Sequence, residues 1–252
     1  MTDLMTITTF LDRTLRLSNF TDSSNNGLQV ENPGLVQRIC CGVDASMEFF
    51  TAARDRGADM VVCHHGISWG DSLKAITHLN YSRVSFLIKN DMALYACHLP
   101  LDAHPRHGNN AQICKELGLT KIRPFGSYHG MVIGFEGMLP RPMSYQRFKN
   151  LVGKTIGENL RTMDFGKKTV RSVAVVSGGA FAQTEEAGRK GIDVYLSGEP
   201  SLQGYNLARE CEINAIFAGH YATEVFGVRS LAKLLKRTFK LDTEFLDLRV
   251  PF

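Results

Sequence analysis

Short apolar runs recur along this 252-residue chain between stretches of helical periodicity, and three of them end at histidine. Asp59-Met-Val-Val-Cys63 leads into His64-His65-Gly66-Ile-Ser-Trp69. Met92 to Cys97 leads into His98-Leu-Pro-Leu-Asp102. Ile213 to Ala218 leads into Gly219-His220-Tyr-Ala-Thr-Glu224. Brief apolar runs bounded by turn residues read as buried strands, and their alternation with helices reads as βαβ units around a largely parallel sheet. The loops after these runs carry imidazoles and carboxylates, a nitrogen and oxygen donor set suited to divalent metal ions. Three converging loops would offer enough ligands for two ions.

The pattern predicts a helix over 4–17, a turn and a short extended piece over 25–30, and a strand over 37–43. A helix over 45–56 closed by Gly57 and a strand over 59–63 follow. Next come a helix over 72–89, a strand over 92–97, and a helix over 109–117 with Asn109 as N-cap and Gly118 as stop. Residues 121–170 break the alternation, with strand character at 129–138 and 159–163 and a helix at 145–152. From Ser172 the alternation resumes and closes in a long helix from about Ala222 to Arg237, whose Lys233-Leu-Leu-Lys-Arg237 cluster falls on a solvated face.

Arg56-Gly57-Ala-Asp59-Met-Val-Val-Cys-His64 is echoed by Lys190-Gly191-Ile-Asp193-Val-Tyr-Leu-Ser-Gly198. Each copy leads to a further apolar strand ending in Ala-x-His, with a carboxylate four positions on, at Asp102 and Glu224. The echo predicts a tandem duplication: an N-terminal α/β lobe over 1–126 and a C-terminal one over 127–252.

Composition narrows the function. The formal net charge is only +4 and the basic residues are scattered, which argues against a nucleic-acid groove. None of the six cysteines forms a C-x-x-C pair, and most sit in apolar runs, as expected of buried, reduced thiols in a cytoplasmic protein. No apolar stretch approaches the roughly 18 residues of a membrane span.

His64 and His65 are consecutive and would face opposite ways in a continuing strand, so their convergence requires the strand to end near Cys63, with Gly66 easing the turn. His220 and Glu224, four apart at the start of a helix, share one face. Pro100 predicts an extended His98–Asp102 stretch. Asp102 and Glu224 are candidate bridges, because a carboxylate can bind two cations and a neutral imidazole only one. His98 stands open between ligand, orienting group and proton shuttle. His104, Arg106 and His107 form a small basic rim suited to a phosphate, or simply a solvated loop.

His64-His65-Gly66-x-x-Trp69, His98-x-x-Leu101-Asp102 and Gly219-His220-x-x-Thr223-Glu224 together resemble the Nif-three-like family of dinuclear-metal-centre proteins, many bacterial members of which are called GTP cyclohydrolase I type 2 homologues. Asn26-Gly27-Leu28-Gln29-Val30 and Asp193-x-Tyr195-x-Ser197-Gly198-Glu199 are similar to the family as well. The resemblance implies two related α/β lobes with mixed, largely parallel sheets and the metal site between them. It implies His64, His65, Asp102, His220 and Glu224 as ligands of two divalent ions per subunit (Zn, Fe, Mn or Ni), and a toroidal homohexamer. A histidine expected soon after Glu199 is missing, since the segment reads Pro200-Ser-Leu-Gln. The implied activity is metal-dependent hydrolysis, either GTP cyclohydrolase-type ring opening or attack on damaged nucleotides. The alternative is a metal-binding ring that acts as a scaffold through protein or DNA contacts.

Overall fold

A computed structural model describes residues 1–252. The chain divides into two compact units, Met1–Leu101 with Gly227–Leu248, and Asp102–Phe226 with Arg249–Phe252. In chain order the first elements are β1 (Thr2–Asp3), α1 (Leu4–Leu15), β2 (Gly27–Val30), β3 (Leu35–Val36), β4 (Arg38–Asp44), α2 (Met47–Asp55), β5 (Met60–His65), α3 (His78–Lys89) and β6 (Ala93–Ala96). Then follow α4 (Leu99–Asp102), α5 (Asn109–Glu116), β7 (Thr120–Tyr128), β8 (Met131–Ser144), α6 (Tyr145–Thr155), β9 (Arg161–Asp164) and β10 (Thr169–Val175). The chain closes with α7 (Thr184–Arg189), β11 (Val194–Ser197), α8 (Leu202–Glu210), β12 (Asn214–Phe217), α9 (His220–Phe239) and β13 (Asp242–Phe245). No helix is long and apolar enough to cross a membrane.

The first unit is built on a five-stranded sheet ordered β13-β4-β5-β6-β2. Its neighbours pair in parallel, except β2 against β6. Met60, Val61, Val62 and Cys63 of β5 are all fully buried. A parallel strand covered on both faces has no reason to alternate polar and apolar residues, which is why β5 reads as a continuous run. Phe49, Phe50 and Ala53 of α2 pack into the core on one face, and the Ser46 hydroxyl caps that helix by accepting from the Phe49 amide at 3.1 Å.

The second unit has a six-stranded mixed sheet ordered β7-β8-β10-β11-β12-β9. Its β10, β11 and β12 run parallel, while β7, β8 and β9 pair antiparallel. The irregular 121–170 region is thus the hairpin β7–β8, helix α6 and edge strand β9.

Each unit therefore contains three successive parallel strands with a helix between neighbours, and an antiparallel strand beyond the third. The pairing register matches as well: Ile39 pairs with Met60, and its counterpart Val173 with Val194. Asp59 makes the likeness specific. Its Oδ2 accepts from the Gln37 and Arg38 amides at 2.7 and 2.9 Å. Asp193 Oδ2 accepts from the Arg171 and Ser172 amides at 2.9 and 3.1 Å. In both copies the aspartate before the middle strand ties down the start of the preceding one.

Several boundaries differ from the sequence reading. The expected break at 126/127 falls instead after Leu101, because Ile113, Cys114 and Leu117 join the core of the second unit. The end of α9 and all of β13 belong to the first unit, where β13 pairs with β4. Helix α3 begins at His78 rather than Ser72. Strand β5 does not end at Cys63 but runs on through His65, which pairs with Asp44. Leu99–Asp102 is one helical turn rather than extended, since proline is tolerated in a first turn where its missing N–H has no partner to lose. Gly108, not Asn109, holds the N-cap position of α5. The strands also shift one alignment: Ala96 pairs with Cys63 and Phe217 with Ser197, so His220 stands one position beyond the counterpart of His98.

Burial alone would raise the Asp193 carboxyl, but the Lys167 ammonium at 2.9 Å and the two amides outweigh it and hold the group below the ordinary aspartate range. A depressed carboxyl stabilises the fold above its unfolded value and loses that contribution as pH falls through its folded value. Asp193→Asn is expected to cost about 1–3 kcal/mol near neutrality, and urea titrations should show the gap from wild type closing below about pH 4.

Candidate metal centre

In the first unit, the ends of β5 and β6 bring His64, His65 and His98 together. Each offers a ring nitrogen, and these atoms lie within 4.8 Å of one another. Although β5 continues through both histidines, the rings of His64 and His65 approach to 4.6 Å between centroids. Anchors on either side set this geometry. His64 Nδ1 donates to the Cys97 carbonyl at 2.9 Å, and His65 Nδ1 meets Asp44 Oδ1 at 2.7 Å. His98 Nδ1 lies 2.9 and 3.1 Å from the two oxygens of Asp22. A carbonyl or carboxylate acceptor fixes the proton on Nδ1 and turns Nε2 outward as the available donor to a metal.

The Asp22 carboxylate also accepts from the amides of Ser24 and Leu99 and from the Asn26 side chain. Burial would raise its pKa, but His98 and these donors bring it down to about 2. The Asn25–Gln29 segment explains its own sequence. Asn26 Oδ1 accepts from the His98 amide at 2.7 Å. Gln29 Oε1 accepts from the amides of Ile67 and Ser68 at 2.8 and 3.2 Å, pinning the loop after His65. A Cβ at Gly66 would run into the Gln29 side chain, so a glycine is required there.

In the second unit, His220 opens α9 and Glu224 follows one turn later, with His220 Nε2 3.0 Å from Glu224 Oε1. His220 Nδ1 is hydrogen-bonded to Glu199, at the end of β11. Burial would lower the pKa of this imidazole, but Glu224 and Glu199 outweigh it and lift it to about 9. Thr223 locks the local backbone, its hydroxyl accepting from the Gly178 amide at 3.0 Å. Gly178 has φ +67°, and a Cβ there would lie 2.5 Å from Glu224 Oε1 and 3.1 Å from His220 Nε2. The fold thus keeps a cradle free for this carboxylate and imidazole.

Asp102 is 6% exposed and Glu224 2%, and their carboxylates come within 4.8 Å of one another. Asp102 Oδ1 accepts from Asn109 Nδ2 at 2.9 Å and the Ser177 hydroxyl at 3.0 Å. Asn110 Oδ1 in turn accepts from the Ser177 amide at 2.6 Å. Asn109 is therefore an orienting partner of Asp102 and not a helix cap. A groove of about 630 Å³ adjoins His220 and Glu199 and is also lined by Asn159 and Arg161. The 104–107 rim is a folded turn in which His104 Nδ1 accepts from the amides of Arg106 and His107 at 3.1 and 2.9 Å. Asp22, Asp44, Ser177 and Gly178 escaped the sequence reading.

The donors fit a divalent ion of borderline hardness, being imidazole nitrogens and carboxylate oxygens without thiolate. Burial pushes the Cys63 thiol well above its usual range, which keeps it protonated.

Comparison with known proteins gives a consistent answer. Residues 2–250 match the model of the Duf34/NIF3 (NGG1p interacting factor 3) family. A protein of Deinococcus radiodurans named GTP cyclohydrolase 1 type 2 homolog is 42% identical over 238 residues, covering 94% of this chain and 90% of the relative. Among solved structures, the protein ybgI, described as of unknown function, superposes with a TM-score of 0.92 at 34% identity over the whole of both chains. TTHA1606 from Thermus thermophilus gives 0.91 at 33% identity, again over both whole chains.

Gly178→Ala is expected to force Glu224 out of its cradle and weaken divalent-ion retention by about tenfold or more, with the fold preserved. Elemental analysis after dialysis, beside a circular-dichroism melt, checks this. Asp44→Ala should weaken retention by about 10–100-fold, because it releases the His65 ring.

Proposed function

Because the chain belongs to the Duf34/NIF3 family, we propose that it is a divalent-metal-dependent hydrolase acting on a small, nucleotide-like substrate. One observation carries this reading: four imidazoles, at His64, His65, His98 and His220, are each tied at Nδ1 to an oxygen acceptor. Core or surface histidines have no need of so uniform an arrangement, whereas metal-ligating histidines require it. The name shared by the relatives supports a GTP cyclohydrolase-type reaction as the specific form.

In this reading His64, His65, Asp102, His220 and Glu224 hold two divalent ions of the Zn, Fe, Mn or Ni class. When bound, such ions supply a water that loses its proton near neutral pH and a Lewis acid for the substrate. The residues do the rest. Asp44 holds the His65 proton on Nδ1, and His220, protonated on both nitrogens without an ion, would give up its Nε2 proton on binding one while Glu199 retains the proton on Nδ1. Asn109 and Ser177 hold the Asp102 carboxylate in place. His98, with its Nδ1 committed to Asp22, presents Nε2 to take up or return a proton during bond cleavage. His104, Arg106 and His107 receive the anionic part of the substrate. The family resemblance extends the reading to a homo-oligomer, a toroidal hexamer.

Purified protein loaded with Mn²⁺, Zn²⁺ or Fe²⁺ and offered GTP, phosphoesters and amides should turn over at least one class. Chelation should abolish the rate and metal should restore it. Glu224→Ala should lower the rate by about a hundredfold or more, with the oligomer unchanged by light scattering. Turnover that survives complete metal removal would refute the reading.

A further inference from the structure

Trp69 is the only tryptophan in the chain, and the roles assigned above leave its ring unused. It is half-buried and takes no part in the apolar core of its unit, which is built on Phe49, Phe50, Val61, Leu87 and Leu94. Core filling therefore does not account for it. The ring is nevertheless held firmly. Its Nε1–H donates to the Gly66 carbonyl at 2.9 Å, and its backbone amide donates to the Ser72 hydroxyl at 2.8 Å. Its backbone also bridges Ser24. With the one polar atom of the indole bonded inside the loop, what remains exposed is hydrocarbon π surface.

That surface lies against the histidine cluster. The indole centroid is 5.0 Å from the His98 ring, edge to face, and 5.9 Å from the His65 ring. Exposure rises outward through the cluster, from His64 at 0% to the His65 and His98 side chains at 19% and 21%. The two imidazoles that Trp69 touches are thus the ones that keep exposed surface. A molecule approaching His65 and His98 meets a rigid aromatic wall.

We propose that Trp69 is a specificity-determining residue whose indole stacks against a planar heteroaromatic ring presented to the His65–His98 face. The inference rests on the metal-hydrolase reading and adds the shape of the substrate to it. An aromatic wall also attracts organic cations, but a site holding divalent ions repels a further positive charge, which leaves a neutral or anionic ring. A non-planar sugar phosphate or an acyclic phosphoester gains less from such a wall than a nucleobase, which has a full π face to stack.

A single tryptophan makes the test direct. The metal-loaded protein would be titrated with guanosine while indole fluorescence is followed, with ribose 5-phosphate as the non-planar control. Guanosine lacks phosphate, so it cannot bind by phosphate coordination. Guanosine should quench saturably and ribose 5-phosphate should not. By calorimetry, Trp69→Phe should retain guanosine affinity within a few-fold, while Trp69→Leu should lose about ten- to a hundredfold, both at unchanged metal content. Metal retention with no response to guanosine, or equal affinity in Trp69→Leu, overturns the proposal and leaves the metal reading standing. Saturable guanosine quenching in a protein that retains no metal supports the stacking role and removes the metal reading.

Discussion

In the proposed reading, metal binding by each imidazole depends on the position of one proton. A neutral histidine carries its hydrogen on Nδ1 or Nε2, and only the other nitrogen can bind a metal. His64, His65, His98 and His220 all have Nδ1 beside an oxygen acceptor. Parallel strands supply two of these acceptors without special loops. Where β4, β5 and β6 end together, Asp44 lies across from His65, and the Cys97 carbonyl, just past β6, meets His64. A hydrogen bond of this kind is worth about 1 kcal/mol to stability, but its larger effect is to remove one tautomer.

The carboxylates follow a different logic. A buried carboxylate costs several kcal/mol unless donors surround it. Around Asp102, Asn109 and Ser177 supply those donors, and Asn110 holds Ser177 in turn. The adjacent asparagines at the start of α5 thus face a deep polar network, and both are fully buried. A carboxylate held this way keeps its oxygens in one place at the cost of considerable polar burial, which sets Asp102 apart from a solvated aspartate.

Much of the architecture was legible because fully buried parallel strands write themselves as unbroken apolar runs, as Met60–Cys63 does. The His220–Glu224 pair was legible too, since four residues on a helix is one turn. The orienting partners were not. Asp22 lies 76 positions from His98 and Asp44 lies 21 from His65, and nothing local distinguishes these aspartates from solvated ones. Gly178 escaped for the opposite reason, because its contribution is an absent side chain. His64 and His65 converge without a strand end, because each ring is anchored beside its own strand, at the Cys97 carbonyl and at Asp44. The lobe boundary was misplaced because α5, which follows the first lobe in the chain, packs into the core of the second unit, and because the chain returns to the first sheet only at β13.

The matching roles of Asp59 and Asp193 show two copies of one structural idea, yet the copies have parted ways where chemistry is concerned. Counting along the matched strands, the residue equivalent to Asp44 is Gly178, and the residue equivalent to His65 is Glu199. In one copy an acid steadies an imidazole; in the other the same place has been emptied so that Glu224 can occupy it. Two identical halves cannot fill both parts, since a single codon cannot be aspartate and glycine at once. The difference between the copies at these two positions, and not their shared strand order, sets which donors each one presents.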